Sequence, residues 1–151
     1  MIRYKLKDKN KKLKKNIFRV LDVNLNRARE GMRVIEDTAR FIWNDRSLYY
    51  DIRALRHRLD RTARKLYCSL IGFRNSDRDI GKRAQAKRFV SIKNIIQTNL
   101  RRAEESLRVL EEYSRFINIP LTPRFQKLRF NIYAIEKKIF KKYLNPGYQD
   151  A

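Results

Sequence analysis

The sequence predicts an all-α protein, a four-helix bundle made of two repeated helical hairpins, and three observations predict it. Only four Gly and three Pro occur in 151 residues, which leaves little material for turns. Apolar residues recur every three to four positions through most of the chain. Finally, residues 20–42 and 95–117 align without a gap and are identical at 11 of 23 positions. A repeat of this kind indicates two copies of one unit about a pseudo-twofold axis.

The apolar spacing defines four segments. We predict helices at about 16–43, 48–70, 88–117 and 123–144. The polar residues from Asn44 to Ser47 separate the first two helices, and Thr122 with Pro123 is predicted to begin the fourth as N-cap and first helical residue. Residues 72–87 are rich in Gly, Asn, Ser and Asp and lack apolar periodicity, so they are predicted to form a loop.

The predicted organisation is one helical domain, residues 16–145, with a repeat at about 16–71 and its copy at about 88–143. Residues 146–151 are predicted to be a tail. Residues 1–15 hold eight Lys or Arg and one acid, which predicts a flexible basic arm. Two interpretations of this arm stay open, a solvated segment or one that follows the phosphates of a partner.

The net charge of +22 predicts an anionic partner: nucleic acid, an acidic membrane surface or phosphorylated small molecules. No apolar run approaches the ~20 residues that cross a bilayer, so no membrane span is predicted. The single cysteine, Cys68, excludes an intrachain disulfide and a multi-cysteine metal site, and a cytoplasmic protein is the simplest account. The four glycines are too far apart for a phosphate loop or a dinucleotide fingerprint.

The repeat carries polar residues at the edge of its apolar face. Asn24 lies inside the apolar stripe and Arg27 at its border, and the second copy has Asn99 and Arg102 there. In one interpretation the two Asn side chains hydrogen-bond across the dyad and fix the register of the helices. In the other, a polar pocket lies between the first and third helices, where small Gly31 leaves room and the arginines bind phosphate.

Most other charges of the repeat are predicted to support the helices. Arg33 with Asp37, and Arg108 with Glu112, are spaced as i,i+4 ion pairs, each worth about 0.2–0.5 kcal/mol on a solvated face.

The stretch 74–81 contains two acids, Asp77 and Asp79, beside two arginines. Such a loop can bind Mg²⁺ and phosphate, or it can be a turn capped by an Asp side chain, and both interpretations stay open. On the second helix, His57 is predicted at the surface and Arg56 nearer to the edge of the core.

Four segments, in order, carry a resemblance: RVLDVNLNRAREGMRVIED from Arg19, LRHRL from Leu55, RNSDRDIG from Arg74 and NLRRAEESLRVLEE from Asn99. Together they resemble the helical domain found N-terminal to the barrel in certain bacterial thiamine-phosphate synthases. That family is regarded as an alternative hydroxymethylpyrimidine phosphate kinase. The resemblance spans about residues 19–116.

The resemblance implies thiamine biosynthesis, ATP and Mg²⁺, and phosphorylation of 4-amino-5-hydroxymethyl-2-methylpyrimidine phosphate to the diphosphate. The catalytic residues that it implies are Asp79, His57 and Arg74. The substrate and phosphate ligands that it implies are Asn24, Arg27, Arg33, Arg56, Asn99, Arg102, Arg108 and Gly81. The implied metal ligands are Asp79, Glu30 and Glu105. Asn75 stands where an acid is expected in the family, which weakens a metal site in this loop.

No barrel follows the helical domain before Ala151, so the resemblance does not imply that this chain joins pyrimidine to thiazole. Two other classes of function therefore stay open. One is a non-catalytic subunit that docks on a separate thiamine-phosphate synthase. The other is a basic helical bundle that binds nucleic acid, and for each class a homo-oligomer stays open.

Overall fold

The computed structural model describes residues 2–82, 85–117, 119–145 and 147, and every regular element in these ranges is helical. The α-helices are α1 (Ile2–Phe41), α2 (Arg46–Ala63), α3 (Tyr67–Phe73), α4 (Ile92–Ile117) and α5 (Thr122–Ile139). Two 3₁₀ turns, Arg64–Leu66 and Ile119–Leu121, and a π turn, Phe140–Leu144, join or extend them. The predicted all-α bundle is confirmed, with α1, α2, α4 and α5 as its four main helices and α3 as a short addition.

The hydrophobic core lies along α1, which packs against α2, α3 and α4, while α5 packs against α2 and α4. Among the described side chains of α1 the buried apolar residues are Ile17, Phe18, Leu21, Leu25, Ala28, Met32, Ile35 and Ala39. On α5 they are Phe125, Leu128, Ile132, Ile135 and Ile139. Both sets follow the helical period, and burial of each large side chain contributes about 1.5–3 kcal/mol.

The first helix begins far earlier than predicted, at Ile2 rather than near Asn16. The chain has no Gly or Pro before Gly31 and is rich in Lys and Leu, so nothing in it interrupts a helix. The side chains of residues 10–16 are exposed, because here α1 carries almost continuous charge. Met1 lies outside the described residues, and what the basic segment binds stays a prediction.

The other helix ends show local capping. Asp45 accepts the backbone N–H of Leu48 at 3.0 Å and caps α2, within the predicted polar break. Ser91 accepts the N–H of Asn94 at 3.1 Å, which explains why α4 begins at Ile92 and not at Arg88 as predicted.

The second and fourth helices differ in detail from the prediction. α2 ends at Ala63, not near Leu70, and the 3₁₀ turn and α3 continue the chain. Thr122 was predicted as an N-cap but lies in the first turn of α5, where its hydroxyl is 2.9 Å from the Ser114 hydroxyl on α4. Pro123 is in the first turn, as predicted.

The predicted loop is confirmed for residues 74–82 and 85–87, which are irregular, whereas residues 72–73 belong to α3. Residues 88–91 were predicted to be helical but are irregular, since α4 begins at Ile92. The predicted tail, residues 146–151, lies outside the described residues except for Gly147. Within the described ranges, no helix is both long and apolar enough to cross a membrane. The pseudo-twofold relation between the two hairpins stays a prediction.

Candidate functional site

A cleft of about 550 Å³ lies between α1 and the loop that follows α3. Helix α1 lines it with Asn16, Arg19, Val20, Asp22, Val23 and Asn26, and the loop lines it with Arg74, Asn75, Ser76 and Asp79. The α1 residues recur every three to four positions, so they form one face of the helix. On the α1 side, the cleft is thus lined by amide and charged side chains and by two valines.

The wall of the cleft is fixed by an ion pair between elements far apart in sequence. The Nε and Nη2 atoms of Arg74 donate to Oδ2 and Oδ1 of Asp22, both at 2.6 Å. This bidentate contact raises the pKa of Arg74 above its ordinary value, because Asp22 stabilises the charged guanidinium. Asp22 is buried, whereas 41% of the Arg74 side chain is exposed.

The loop itself is a pair of turns. The Asp79 carboxylate accepts the backbone N–H of Gly81 at 2.8 Å, the Asp79 N–H donates to the Ser76 carbonyl at 3.3 Å, and the Lys82 N–H donates to the Asp79 carbonyl at 3.2 Å. The interpretation as a turn capped by an Asp side chain is therefore confirmed. Asp79 also lines the cleft, and with Asp77 it lines an adjoining depression.

The two repeated asparagines are structural, although not in the way predicted. The amide of Asn24 donates to the Val20 carbonyl at 2.9 Å, and that of Asn99 donates to the Ile95 carbonyl at 2.8 Å. Each buried amide thus hydrogen-bonds to its own helix, one turn earlier, and no bond across the dyad is formed by either amide among the described residues. A buried amide has to find such a partner, and a backbone carbonyl is the nearest acceptor.

Gly31 does not leave room for a ligand. A Cβ atom at this position would lie 2.8 Å from the Asn99 carbonyl oxygen and 3.6 Å from the Ala103 Cβ. The backbone of α4 occupies the space, so the predicted internal pocket beside Gly31 is wrong. Glycine is required here because the two helices approach closely.

Two of the repeated pairs of charged residues, Arg27 with Arg102 and Glu30 with Glu105, lie outside the core. Arg27, Glu30, Arg102 and Glu105 are exposed, so the structure does not place these arginines in an internal pocket. Whether they bind phosphate or metal stays a prediction.

The two predicted i,i+4 pairs are confirmed. Arg33 lies 3.4 Å from Asp37, and Arg108 lies 2.9 Å from Glu112. Each arginine also contacts a buried glutamate three residues on, at 3.3 Å.

Arg56 belongs to a buried ion pair. Its Nε donates to Glu36 at 2.7 Å, and only 12% of the arginine side chain is exposed. The hydrogen bond that Arg56 donates to Glu36 raises the pKa of Arg56. At the matching place in the second hairpin, Nε of Arg129 donates to Glu111 at 2.9 Å. Both pairs join neighbouring helices, which is a structural role.

Of the three predicted catalytic residues, the structure brings together Arg74 and Asp79 but not His57. His57 lies in a shallow depression with Tyr50, Arg53, Ala54 and Arg61. It is not among the residues that line the cleft.

The predicted metal ligands are not gathered into one cluster. In the part of the chain that the structure describes, no group of three or more His, Cys, Asp or Glu side chains is placed to hold a metal ion. Asp79 lines the cleft, whereas Glu30 and Glu105 do not. A Mg²⁺ ion held mainly by substrate phosphates and water needs only one or two carboxylates, and Asp79 and Asp77 fit that requirement.

Four cleft residues were not selected from the sequence: Asn16, Arg19, Asp22 and Asn26. The signal for Asp22 was present, because the equivalent position of the second copy holds Gln97. Positions where the copies differ were the better guide to the cleft.

Comparisons with known proteins identify the family of this chain. The ThiD2 family model matches residues 19–138. A thiamine-phosphate synthase of Nostoc punctiforme is 36% identical over 126 residues, which cover 82% of this chain and 35% of the relative. A thiamine-phosphate synthase of Synechocystis is 37% identical over 123 residues, which cover 80% of this chain and 35% of the relative. A thiamine-phosphate synthase of Rhodopirellula baltica is 32% identical over 129 residues, which cover 83% of this chain and 34% of the relative.

The chain thus spans about a third of the length of the curated relatives it matches. No solved structure matches it. Because the family model covers residues 19–138, which include all of the cleft residues except Asn16, the chain belongs to the ThiD2 family.

Proposed function

We propose that this protein acts in thiamine biosynthesis and transfers a phosphoryl group from ATP to hydroxymethylpyrimidine phosphate, with the cleft between α1 and the 74–82 loop as its site. The observation that carries the proposal is the family match, which runs through both walls of the cleft. The names of the relatives support the thiamine context. The cytoplasm is the location that we propose for this activity.

The cleft suits ligands that combine a small ring with phosphates. Its volume of about 550 Å³ is within the range of ~300–1,000 Å³ for small-molecule sites. Arg19 and Arg74 supply positive charge, and Asn16 and Asn26 supply amides that can hydrogen-bond ring nitrogens or hydroxyls.

The reaction joins two phosphates. An oxygen of the substrate phosphate forms a bond to the γ-phosphorus of ATP, the bond from that phosphorus to the β,γ-bridging oxygen breaks, and ADP leaves. The second pKa of a phosphate monoester is about 6, so near pH 7 the attacking phosphate is largely a dianion, and the main task of the site is to balance negative charge. Arg74 supplies a positive charge in the cleft for the transferred group. Mg²⁺ would neutralise further phosphate charge, and Asp79 and Asp77 are the residues that would hold it.

The experiment is to incubate the pure protein with ATP, Mg²⁺ and hydroxymethylpyrimidine phosphate and to measure formation of the diphosphate by ³¹P NMR. We expect turnover by the wild type and a loss of at least about 100-fold in Arg74→Gln, as for removal of one positioned donor. Arg78→Gln is the matched control, because Arg78 is in the same loop but does not line the cleft. No diphosphate from the folded wild type would rule out the proposed reaction.

A second candidate is a non-catalytic subunit of a separate thiamine-phosphate synthase. It is favoured by an apolar groove lined by Leu13, Ile17, Glu112, Tyr113 and Phe116. Phe116 is 70% exposed, which is unusual for a large apolar side chain. Co-purification with that synthase, lost in Phe116→Ser, together with no turnover alone, would favour this candidate.

Binding of nucleic acid stays a prediction from the charge of +22. It would be seen as binding of RNA or DNA that weakens steeply with salt.

A further inference from the structure

We propose that Asp22 is the positioning residue of the cleft: it docks the 74–82 loop on α1 and holds the Arg74 guanidinium for an anionic ligand. This inference rests on the proposed function and names the residue that controls phosphate binding at that site. Asp22 lies in the first copy of the repeat, but the second copy has Gln97 at the equivalent position, so Asp22 is not one of the residues that the two copies share.

The geometry of the pair is that of a fixed guanidinium. Two of the five N–H groups of Arg74 donate to Asp22, both at 2.6 Å, and three remain for a ligand. A bidentate contact fixes the plane of the guanidinium as well as its position. Because Arg74 also lines the cleft, the fixed group forms part of the ligand-binding wall.

The pair is also what holds the loop. Within the described residues, the hydrogen bonds of 74–82 run either inside the loop or back to Ile71, except for those from Arg74 to Asp22. Asp22 is only 7% exposed, so undocking of the loop would leave a carboxylate buried without its cation. That state is costly, and it is the reason why the loop remains on α1.

The second hairpin cannot form an equivalent ion pair, because it has no acid at this position. The position equivalent to Asp22 holds Gln97, a neutral side chain that is half-buried on α4. The cleft therefore exists on the first hairpin, where a buried acid on α1 meets an arginine that comes from the loop.

The test uses Asp22→Asn in the full chain, which keeps the size of the side chain but removes its charge. Two quantities are measured: affinity for inorganic pyrophosphate by calorimetry, and amide hydrogen exchange of residues 75–82 by mass spectrometry. We expect at least about tenfold weaker binding and tenfold faster exchange. Asp60→Asn is the matched control, because Asp60 forms an ion pair with Arg29 of α1 at 2.7 Å but does not line the cleft.

A second variant, Arg74→Lys, tests the same ion pair if Asp22→Asn does not fold. Arg74 is in a loop and half-exposed, so this change leaves the core intact, and lysine keeps the charge but cannot make the bidentate contact. We expect the same faster exchange of the loop.

Unchanged exchange and unchanged pyrophosphate affinity in Asp22→Asn would overturn the inference, as would equal effects of Asp60→Asn. If the wild type does not bind pyrophosphate, the part of the inference that concerns binding of an anionic ligand is overturned. If these effects occur but the wild type makes no diphosphate, the proposed function fails and the positioning role stands. If the wild type makes diphosphate and Asp22→Asn keeps its KM and kcat, the positioning role fails and the function stands.

Discussion

The two hairpins share their scaffold contacts and differ in the contacts around the cleft. In both, a buried Asn donates to the carbonyl one turn earlier, at 2.9 Å from Asn24 and 2.8 Å from Asn99. In both, a buried glutamate binds an arginine of the neighbouring helix, at 2.7 Å for Arg56 and 2.9 Å for Arg129. The repeated residues therefore build helix packing.

The two hairpins differ in their polar contacts at and near the cleft. The first hairpin has the Asp22–Arg74 pair and the cleft, and an ion pair of Arg29 with Asp60. The position of Arg29 is taken in the second copy by Glu104, which faces another acid. The residues that the two copies share thus form packing contacts in both hairpins, while residues that differ between the copies line the cleft on the first hairpin.

The largest stability effect that we predict is for the shared glutamates. Glu36→Gln and Glu111→Gln should each lower the free energy of unfolding by about 3 kcal/mol, because each leaves a mostly buried arginine without its charge partner. Urea denaturation measures both values. Glu112→Gln is the control, since this exposed pair is worth about 1 kcal/mol or less. If one of the two variants loses at least three times as much free energy of unfolding as the other, the two buried ion pairs do not contribute equally to stability.

The next effect concerns the close approach of α1 and α4. Gly31→Ala should destabilise the protein by about 1–3 kcal/mol, because its Cβ would meet the Asn99 backbone at 2.8 Å. Gly72→Ala, where a Cβ meets nothing within 4 Å, should be neutral or stabilise α3 by up to about 1 kcal/mol. Equal melting temperatures for the two variants would contradict the close approach of Gly31 to the Asn99 backbone.

A smaller effect depends on pH. Burial, and the nearby carboxylate of Glu136 on α5, raise the pKa of Glu104 from 4.5 to about 8. One oxygen of Glu104, Oε1, is buried without a hydrogen-bond partner in the described part of the chain. Since the folded state retains a proton that the unfolded state loses, stability should be full below pH 4.5 and fall as the pH rises to about 8.

Glu104→Gln should remove this slope. We expect it to match the wild type at pH 5 and to be more stable by about 1 kcal/mol at pH 8.5, a value reduced for screening by water at this partly exposed site. Thermal melts from pH 5 to 8.5 measure the difference. Glu112→Gln, at an exposed glutamate of α4 that is not among the groups raising the pKa of Glu104, should keep the slope of the wild type.

Helical periodicity predicted the class and the buried faces of α1 and α5, because burial repeats along one side of a helix. It did not predict that α1 begins at Ile2, since the lysine-rich segment before Asn16 has no regular apolar pattern. The sequence marked Arg74 and Asp79 but missed Asp22, because a partner 52 residues away leaves no local spacing signal. It also selected Asn24 and Asn99, whose polar character is satisfied within each helix.

The central claim is that unrepeated residues of the cleft, rather than repeated residues of the scaffold, carry the chemistry. The most direct measurement is kcat/KM for formation of the diphosphate by Arg74→Gln and by the double variant Arg27→Ala/Arg102→Ala, in one assay with the wild type. Arg74 lines the cleft, whereas both repeated arginines are exposed outside it. The account predicts a loss for Arg74→Gln at least tenfold larger than that of the double variant. A larger loss in the double variant would place the site on the repeat and contradict the account.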